Sequence, residues 1–197
     1  HQMEHNYDAS FKSIIGHEGV YTNDKLDRGN WTTGRIGKGE LKGTKYGISA
    51  KSYPDLDIRN LDLGDAKEIY KEDYWNAIKG DELPIGVDYL VFDISVNHGV
   101  NDAGLFLQNA VGAVPDGVVG PRTLRRVRKK PVEEVIKEIS VYRALDYASL
   151  KIVSTYGKGW YRRLVRSTVE AIDMYRATLD QSNGEPKTTS TSLFRRV

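Results

Sequence analysis

GHEGVYTNDKLDRGNWTTG, residues 16–34, decides how the rest of the chain is read. It joins an apolar-periodic segment to a stretch dense in Gly, Asn, Thr and Asp. Upstream, DASFKSIIGHEG (8–19) sets Phe11, Ile14 and Ile15 at helical spacing, with Asp8 or Ser10 to cap the start and Gly16 or Gly19 to end it. Downstream, residues 20–50 interleave turn formers with short apolar stretches, the pattern of a small hairpin lobe. Glu18 therefore ends the helix, and Asp27 and Thr33 follow on the lobe: Glu, eight residues, Asp, five residues, Thr.

Two carboxyls take separate chemical jobs only when their surroundings differ. Glu18, beside Ile14 and Ile15, is expected to lose solvation, which raises its pKa and keeps a proton on it. A general acid near neutral pH needs that proton. Asp27 sits in a polar turn and can face Glu18 if the lobe folds back. Cutting a sugar–sugar bond uses such a pair, one carboxyl donating a proton and the other working across the ring. Thr33 adds a hydroxyl able to hold a water. Spacing alone favours ordinary exposed acids, since acid pairs nine apart are common in a chain with 27 acidic residues.

The chain has 197 residues, 39% hydrophobic and 28% charged, the balance of a globular domain. No apolar run reaches the ~20 residues of a membrane helix. HQMEH reads as a cloning remnant or as a start at Met3, which leaves a preceding export or anchor segment open. The absence of cysteine excludes disulfides, a thiol nucleophile and a thiolate zinc site. Four histidines without an HExxH pattern give no zinc set, so neither a metal nor a cofactor is expected. The net charge is only +2, yet RTLRRVRKK (122–130) holds six basic residues. Such a run is either a solvated helix face or a patch for an anionic cell-wall polymer. Without a nucleic-acid motif beside it, nucleic acid is not an expected partner.

From Asp65 onward the chain reads as helices. DAKEIYKEDYWNAIKG (65–80) places Ala66, Ile69, Tyr70, Tyr74 and Ala77 on one stripe. VDYLVFDISVNHG (87–99) is apolar enough for a buried helix, with Asp93 a hydrogen-bonded structural acid for Arg162 or Arg163 to pair. A helix capped by Asn101 follows, then one opening on Pro121, one on Pro131, and a long one over 158–180. Residues 181–197 read as a flexible tail. The expected class is α+β, mostly α: a small hairpin lobe on a larger helical body, with a cleft between them for a polymer.

Several stretches then fall in one order: Glu18-Gly19-Val20-Tyr21, TKYGIS (44–49), Tyr74-Trp75, FDISVNHG (92–99), DGVVGPRT (116–123) and GWYRR (159–163). In this order the chain resembles glycoside hydrolase family 108, N-acetylmuramidases of phages and bacteria with a Glu-Gly-Gly-Tyr signature. Val20 replaces the second Gly, a change in the turn and not in the acid. The Glu, Asp, Thr spacing is also similar to the triad of phage-type lysozymes. The resemblance spans residues 8–180 and implies a lysozyme-like unit, with 8–95 catalytic and 96–180 a helical peptidoglycan-binding segment. It implies an endolysin-type muramidase cutting the β-1,4 bond between N-acetylmuramic acid and N-acetylglucosamine. Glu18 would be the acid, Asp27 would position or activate water, and Thr33 would assist. A carboxyl separation of ~6.5–9.5 Å would invert the anomeric centre, as phage-type lysozymes suggest, and ~5–5.5 Å would make Asp27 a nucleophile. The protein would be a monomer made in a host cytoplasm and acting on the wall in the periplasm or outside.

Further substrate-binding candidates are Tyr46 and Trp31, as rings on which a sugar face packs, and Asn97 and His98, at the end of the buried helix. Asn97 and His98 serve equally as a helix C-cap. Trp31, in a polar hairpin, is the best exposed ring, whereas Trp75 and Trp160 read as core. The alternative function is a non-catalytic peptidoglycan-binding module that keeps the cleft and the basic patch.

Overall fold

The computed structural model describes residues 2–15, 20–150 and 153–182, with side chains over 6–15, 20–150 and 157–182. Helix α1 spans Gln2–Ile15 and so begins before the expected Asp8. Tyr7, Ser10 and Phe11 form its buried face, one helical turn apart. Strands β1 (Thr44–Lys45) and β2 (Ile48–Ser49) pair antiparallel, Thr44 opposite Ser49 and Lys45 opposite Ile48. Two isolated bridges, Thr22 to Thr44 and Trp31 to Leu41, close the rest of the turn-rich lobe.

Helix α2 (Leu63–Tyr70) starts on a capping box: Asp62 accepts from the Asp65 N–H, and the Asp65 carboxylate accepts from the Asp62 N–H. It runs into a π-helical turn, Lys71–Trp75. That turn leaves Trp75 fully buried, and Gly80 makes room for it: a Cβ there would lie 2.3 Å from the indole. Ala77, expected inward, is exposed because the wider turn shifts the stripe.

Helix α3 (Val87–His98) buries nine consecutive residues, Val87 through Ser95. A helix buried on every side belongs at the centre of a bundle. Helices α1, α4 (Val100–Val111), α6 (Val132–Ser149) and α7 (Val153–Ser182) all pack against it. Its Phe92 ring meets Tyr7 at 5.8 Å and Trp75 at 5.4 Å, tying α1 and the π turn to the centre. Gly99 occupies the cap position expected for Asn101. Helix α5 (Pro121–Arg128) opens on Pro121 as read from the sequence, and Pro131 sits at the cap of α6. Helix α7 continues through Ser182; residues 183–197 of the expected tail lie outside the described residues.

One contiguous apolar core runs from Tyr7 to Ala171. The architecture is α+β and mostly α, a small strand-bearing lobe on a helical body. Among the described residues no helix is long and apolar enough to cross a membrane.

Candidate active site

The lobe is organised by Asn30, which is fully buried. Its carbonyl accepts from the N–H groups of Lys42 and Gly43 at 3.0 Å, and its side-chain oxygen accepts from the Thr44 hydroxyl at 2.7 Å. Asp27 caps the 3-10 turn Arg28–Asn30: Oδ1 accepts from the Gly29 N–H at 2.8 Å, which fixes an otherwise exposed carboxylate. The Thr33 hydroxyl donates to the Lys38 carbonyl at 2.7 Å and accepts from the Arg35 N–H at 3.2 Å, closing the loop behind it. Trp31, expected as an exposed platform, is half-buried, and its indole N–H donates to the Lys25 carbonyl at 2.9 Å.

Tyr46 and Gly47 make the two-residue loop between β1 and β2. Both have positive φ, 52° and 76°, the backbone of a type I′ hairpin turn. A bulky aromatic in the left-handed region is strained unless its surroundings hold it there. The Tyr70 hydroxyl does so, donating to the Tyr46 carbonyl at 2.7 Å. Gly47 is required beside it, since a Cβ there would lie 2.5 Å from that hydroxyl. The strained turn thereby carries Tyr46 to the edge of the helical body.

A cavity of about 560 Å³ opens there. The hairpin gives it Tyr46 and Gly47, and the end of α1 gives it Ser13, Ile14 and Ile15. Helix α3 contributes Tyr89, Asp93, Val96 and Asn97, and α7 contributes Arg163, Arg166, Ser167 and Glu170. The Glu170 carboxylate accepts from the hydroxyls of Ser13 and Tyr89, a bond of 2.8 Å in the second case. Burial, with Asp93 and Glu170 nearby, pushes the Tyr89 phenol well above its usual range, so it stays a donor.

Behind the wall lies a buried ion pair. Arg143 Nη1 donates to Asp93 Oδ2 at 2.8 Å and to the Ser167 hydroxyl at 3.1 Å, and its Nε donates to the Tyr147 hydroxyl at 3.0 Å. The partner expected for Asp93 was Arg162 or Arg163. Arg143, fifty positions away, holds it instead, while Arg163 donates to the Asn97 side-chain oxygen at 2.6 Å. Asn97 in turn donates to the Asp93 carbonyl at 2.8 Å, linking the pair to the cavity surface.

The structure brings Tyr46 and Asn97 to one cavity. Asp27, Trp31 and Thr33 stay on the lobe and are not among its lining residues. His98 faces away from it, because neighbouring helix positions point in different directions. Its ring packs on Phe106 and Tyr147, at 5.6 and 5.1 Å between centroids. Burial, and then the Arg143 charge, push His98 down to about 4. Glu18 lies outside the described residues; the nearest preceding ones, Ile14 and Ile15, line the cavity. Among the described residues no group of His, Asp or Glu is placed to hold a metal ion.

Glu170, Arg166, Ser13 and Tyr89 carry no motif and were not singled out from the sequence. One signal was available: residues 163, 166, 167 and 170 form a polar i, i+3, i+4, i+7 stripe on a helix read only for its apolar face.

Comparisons with known proteins come from two directions. The sequence profile described as Glycosyl hydrolase 108 matches residues 11–99. A solved structure, that of Brucella abortus SagA, resembles this one with a TM-score of 0.73 at 30% identity, covering 88% of this chain and 97% of SagA. No curated protein matches.

Proposed function

The chain belongs to the glycosyl hydrolase 108 family, and from that premise we propose that it is a muramidase. At the level of the family it is a lysozyme-like glycoside hydrolase directed at peptidoglycan. The finer proposal is the bond and the residues: the β-1,4 link from N-acetylmuramic acid to N-acetylglucosamine, with Glu18, Asp27 and Thr33 as the reacting set.

In this mechanism Glu18 gives its proton to the bridging oxygen as the glycosidic bond breaks. The anomeric carbon takes on oxocarbenium character, and a water held by Asp27 attacks it, losing its proton to that carboxylate. The backbone N–H on Asp27 Oδ1 keeps the carboxylate oriented without occupying both oxygens. The Thr33 hydroxyl already spends its hydrogen on the Lys38 carbonyl, so it can hold the water only as an acceptor. Tyr46 supplies a ring for a sugar face and Asn97 an amide for an N-acetyl group. The helical segment 96–180, through Asn97 and α7, gives one wall of the polymer groove.

The observation that carries the proposal is the cavity of about 560 Å³ between lobe and helical body, walled in part by Ile14 and Ile15 at the end of α1. A glycan seated there lies against Ile14 and Ile15, the last described residues before Glu18 in the sequence. The test is mass spectrometry of digested sacculi with the wild type, Glu18→Gln and Asp27→Asn. Products ending in reducing N-acetylmuramic acid are expected from the wild type, with at least roughly a hundredfold loss in each folded variant. Reducing N-acetylglucosamine, free peptides, or full lysis by Glu18→Gln would refute it.

A further inference from the structure

We propose that Arg163 and Arg166 form a carboxylate-reading wall of the cavity, recognising the acidic substituent on the muramic sugar; this rests on the muramidase reading. The placement comes from α7, whose residues 163, 166, 167 and 170 follow helical spacing and all line the same space.

The charges there are unevenly matched. Two acids border the cavity, and both have partners within the protein. Asp93 is held by the buried Arg143 at 2.8 Å. Glu170 receives the hydroxyls of Ser13 and Tyr89. The two cavity arginines are placed differently. Arg163 donates to a neutral amide oxygen, that of Asn97. Among the described residues no carboxylate lies within 4.0 Å of either guanidinium. With Arg143 offsetting Asp93, two positive charges face the cavity against the single charge of Glu170.

A guanidinium presents a planar fork of donors that matches a carboxylate bidentately, and more strongly where water is partly excluded. The proposed substrate has one place for such a group. N-acetylglucosamine is neutral, whereas the muramic sugar carries an O3 lactyl group. In peptide-free glycan that group ends in a free carboxylate. In native wall it is amide-linked to a peptide with carboxylates of its own. A polymer of N-acetylglucosamine alone offers the arginines nothing, so this wall favours acidic glycan over neutral glycan of the same linkage.

The experiment uses the full chain and glycan of one backbone in four forms: peptide-bearing, peptide-stripped, and each of these with carboxylates amidated. KM and kcat are measured for the wild type, Arg163→Gln, Arg166→Gln and Arg166→Lys, with circular dichroism to verify folding. Each Gln variant should raise KM on acidic glycan roughly tenfold, about 1.4 kcal/mol, and its preference for acidic over amidated polymer should collapse. Arg166→Lys should keep part of that preference. A loss confined to the stripped glycan identifies the lactyl carboxylate as the group read; a loss confined to the native glycan identifies the peptide. The same factor lost on acidic and amidated polymer overturns the proposal and leaves the arginines a structural role. Should the wild type cleave none of the four, the muramidase reading fails on its own. Co-sedimentation with the insoluble acidic and amidated forms then decides the carboxylate question, with no preference by the wild type overturning it.

Discussion

Replacing Arg143 by Met should be among the most damaging single changes in the helical body. Arg143 has 0% of its surface exposed and Asp93 only 7%. The substitution keeps most of the side-chain volume but strands the Asp93 carboxylate, which now receives 2.8 Å of contact from Nη1. It also removes the donors to Ser167 and Tyr147. Breaking one side of a buried ion pair costs about 3–5 kcal/mol, because the remaining charge stays desolvated. For a domain of this size each kcal/mol corresponds to about 2–4 °C, so the melting temperature should fall by roughly 6–20 °C. The pair itself is worth far less than that. Among the described residues Arg143 Nη2 is buried without a hydrogen-bond partner, so the fold already carries a desolvation cost at this position. Arg143→Met combined with Asp93→Leu should therefore recover most of the loss. Thermal and urea unfolding of the wild type, Arg143→Met, Asp93→Leu and the double variant close the cycle. A single-variant loss under about 1 kcal/mol, or strictly additive losses in the double variant, would refute the reasoning.

Asp88, buried against Asn6 and the Gly86 and Tyr89 N–H groups, is pushed up to about 7 by burial, so the stability tied to its proton is complete below about pH 4 and lost as pH rises through 7. Asp88→Asn should gain on the wild type in urea unfolding between about pH 4 and 8, and a constant difference across that range would count against it; His98, pushed down to about 4, acts with the opposite sign, stabilising above about 6.5 and losing that contribution as pH falls through 4. Gly47→Ala forces a Cβ to 2.5 Å from the Tyr70 hydroxyl at φ 76° and should cost roughly 2 kcal/mol in thermal unfolding, with tolerance within about 0.5 kcal/mol as the refuting result. On α5, Thr123, Leu124 and Val127 turn inward and the basic residues face out; exchanging Arg125, Arg126 and Lys129 for Glu should slow lysis of whole cells far more than turnover of a short soluble substrate, and equal losses would exclude an envelope-binding role.

Much of the fold was written in local pattern. The densely apolar stretch at 87–95 read by its length as a buried helix rather than a strand, and Pro121 marked the start of α5 because its missing N–H costs nothing there. The Gly- and Asn-rich stretch was legible as a lobe of turns, but its pairing was not. Strands of two residues carry no usable alternation, and Trp31 met Leu41 because Asn30 gathers three donors from the facing segment. Beyond α2 the helical stripe failed at Ala77, because the π turn at Lys71–Trp75 had moved the phase.

The sequence by itself determined the helical body, the turn-rich lobe, the ordered motifs of the family and the candidate acids, because each depends on residue type and short spacing. Only the tertiary structure decided which groups share a cavity: Tyr46 in a strained turn, Asn97 on the outer end of the central helix, and Glu170 and Arg166 more than a hundred positions beyond the hairpin. It also decided that Arg143, and not Arg162 or Arg163 of the GWYRR motif, neutralises Asp93. A side chain's direction around a helix follows from periodicity, but what it meets there depends on how distant segments pack, and no local spacing encodes that contact.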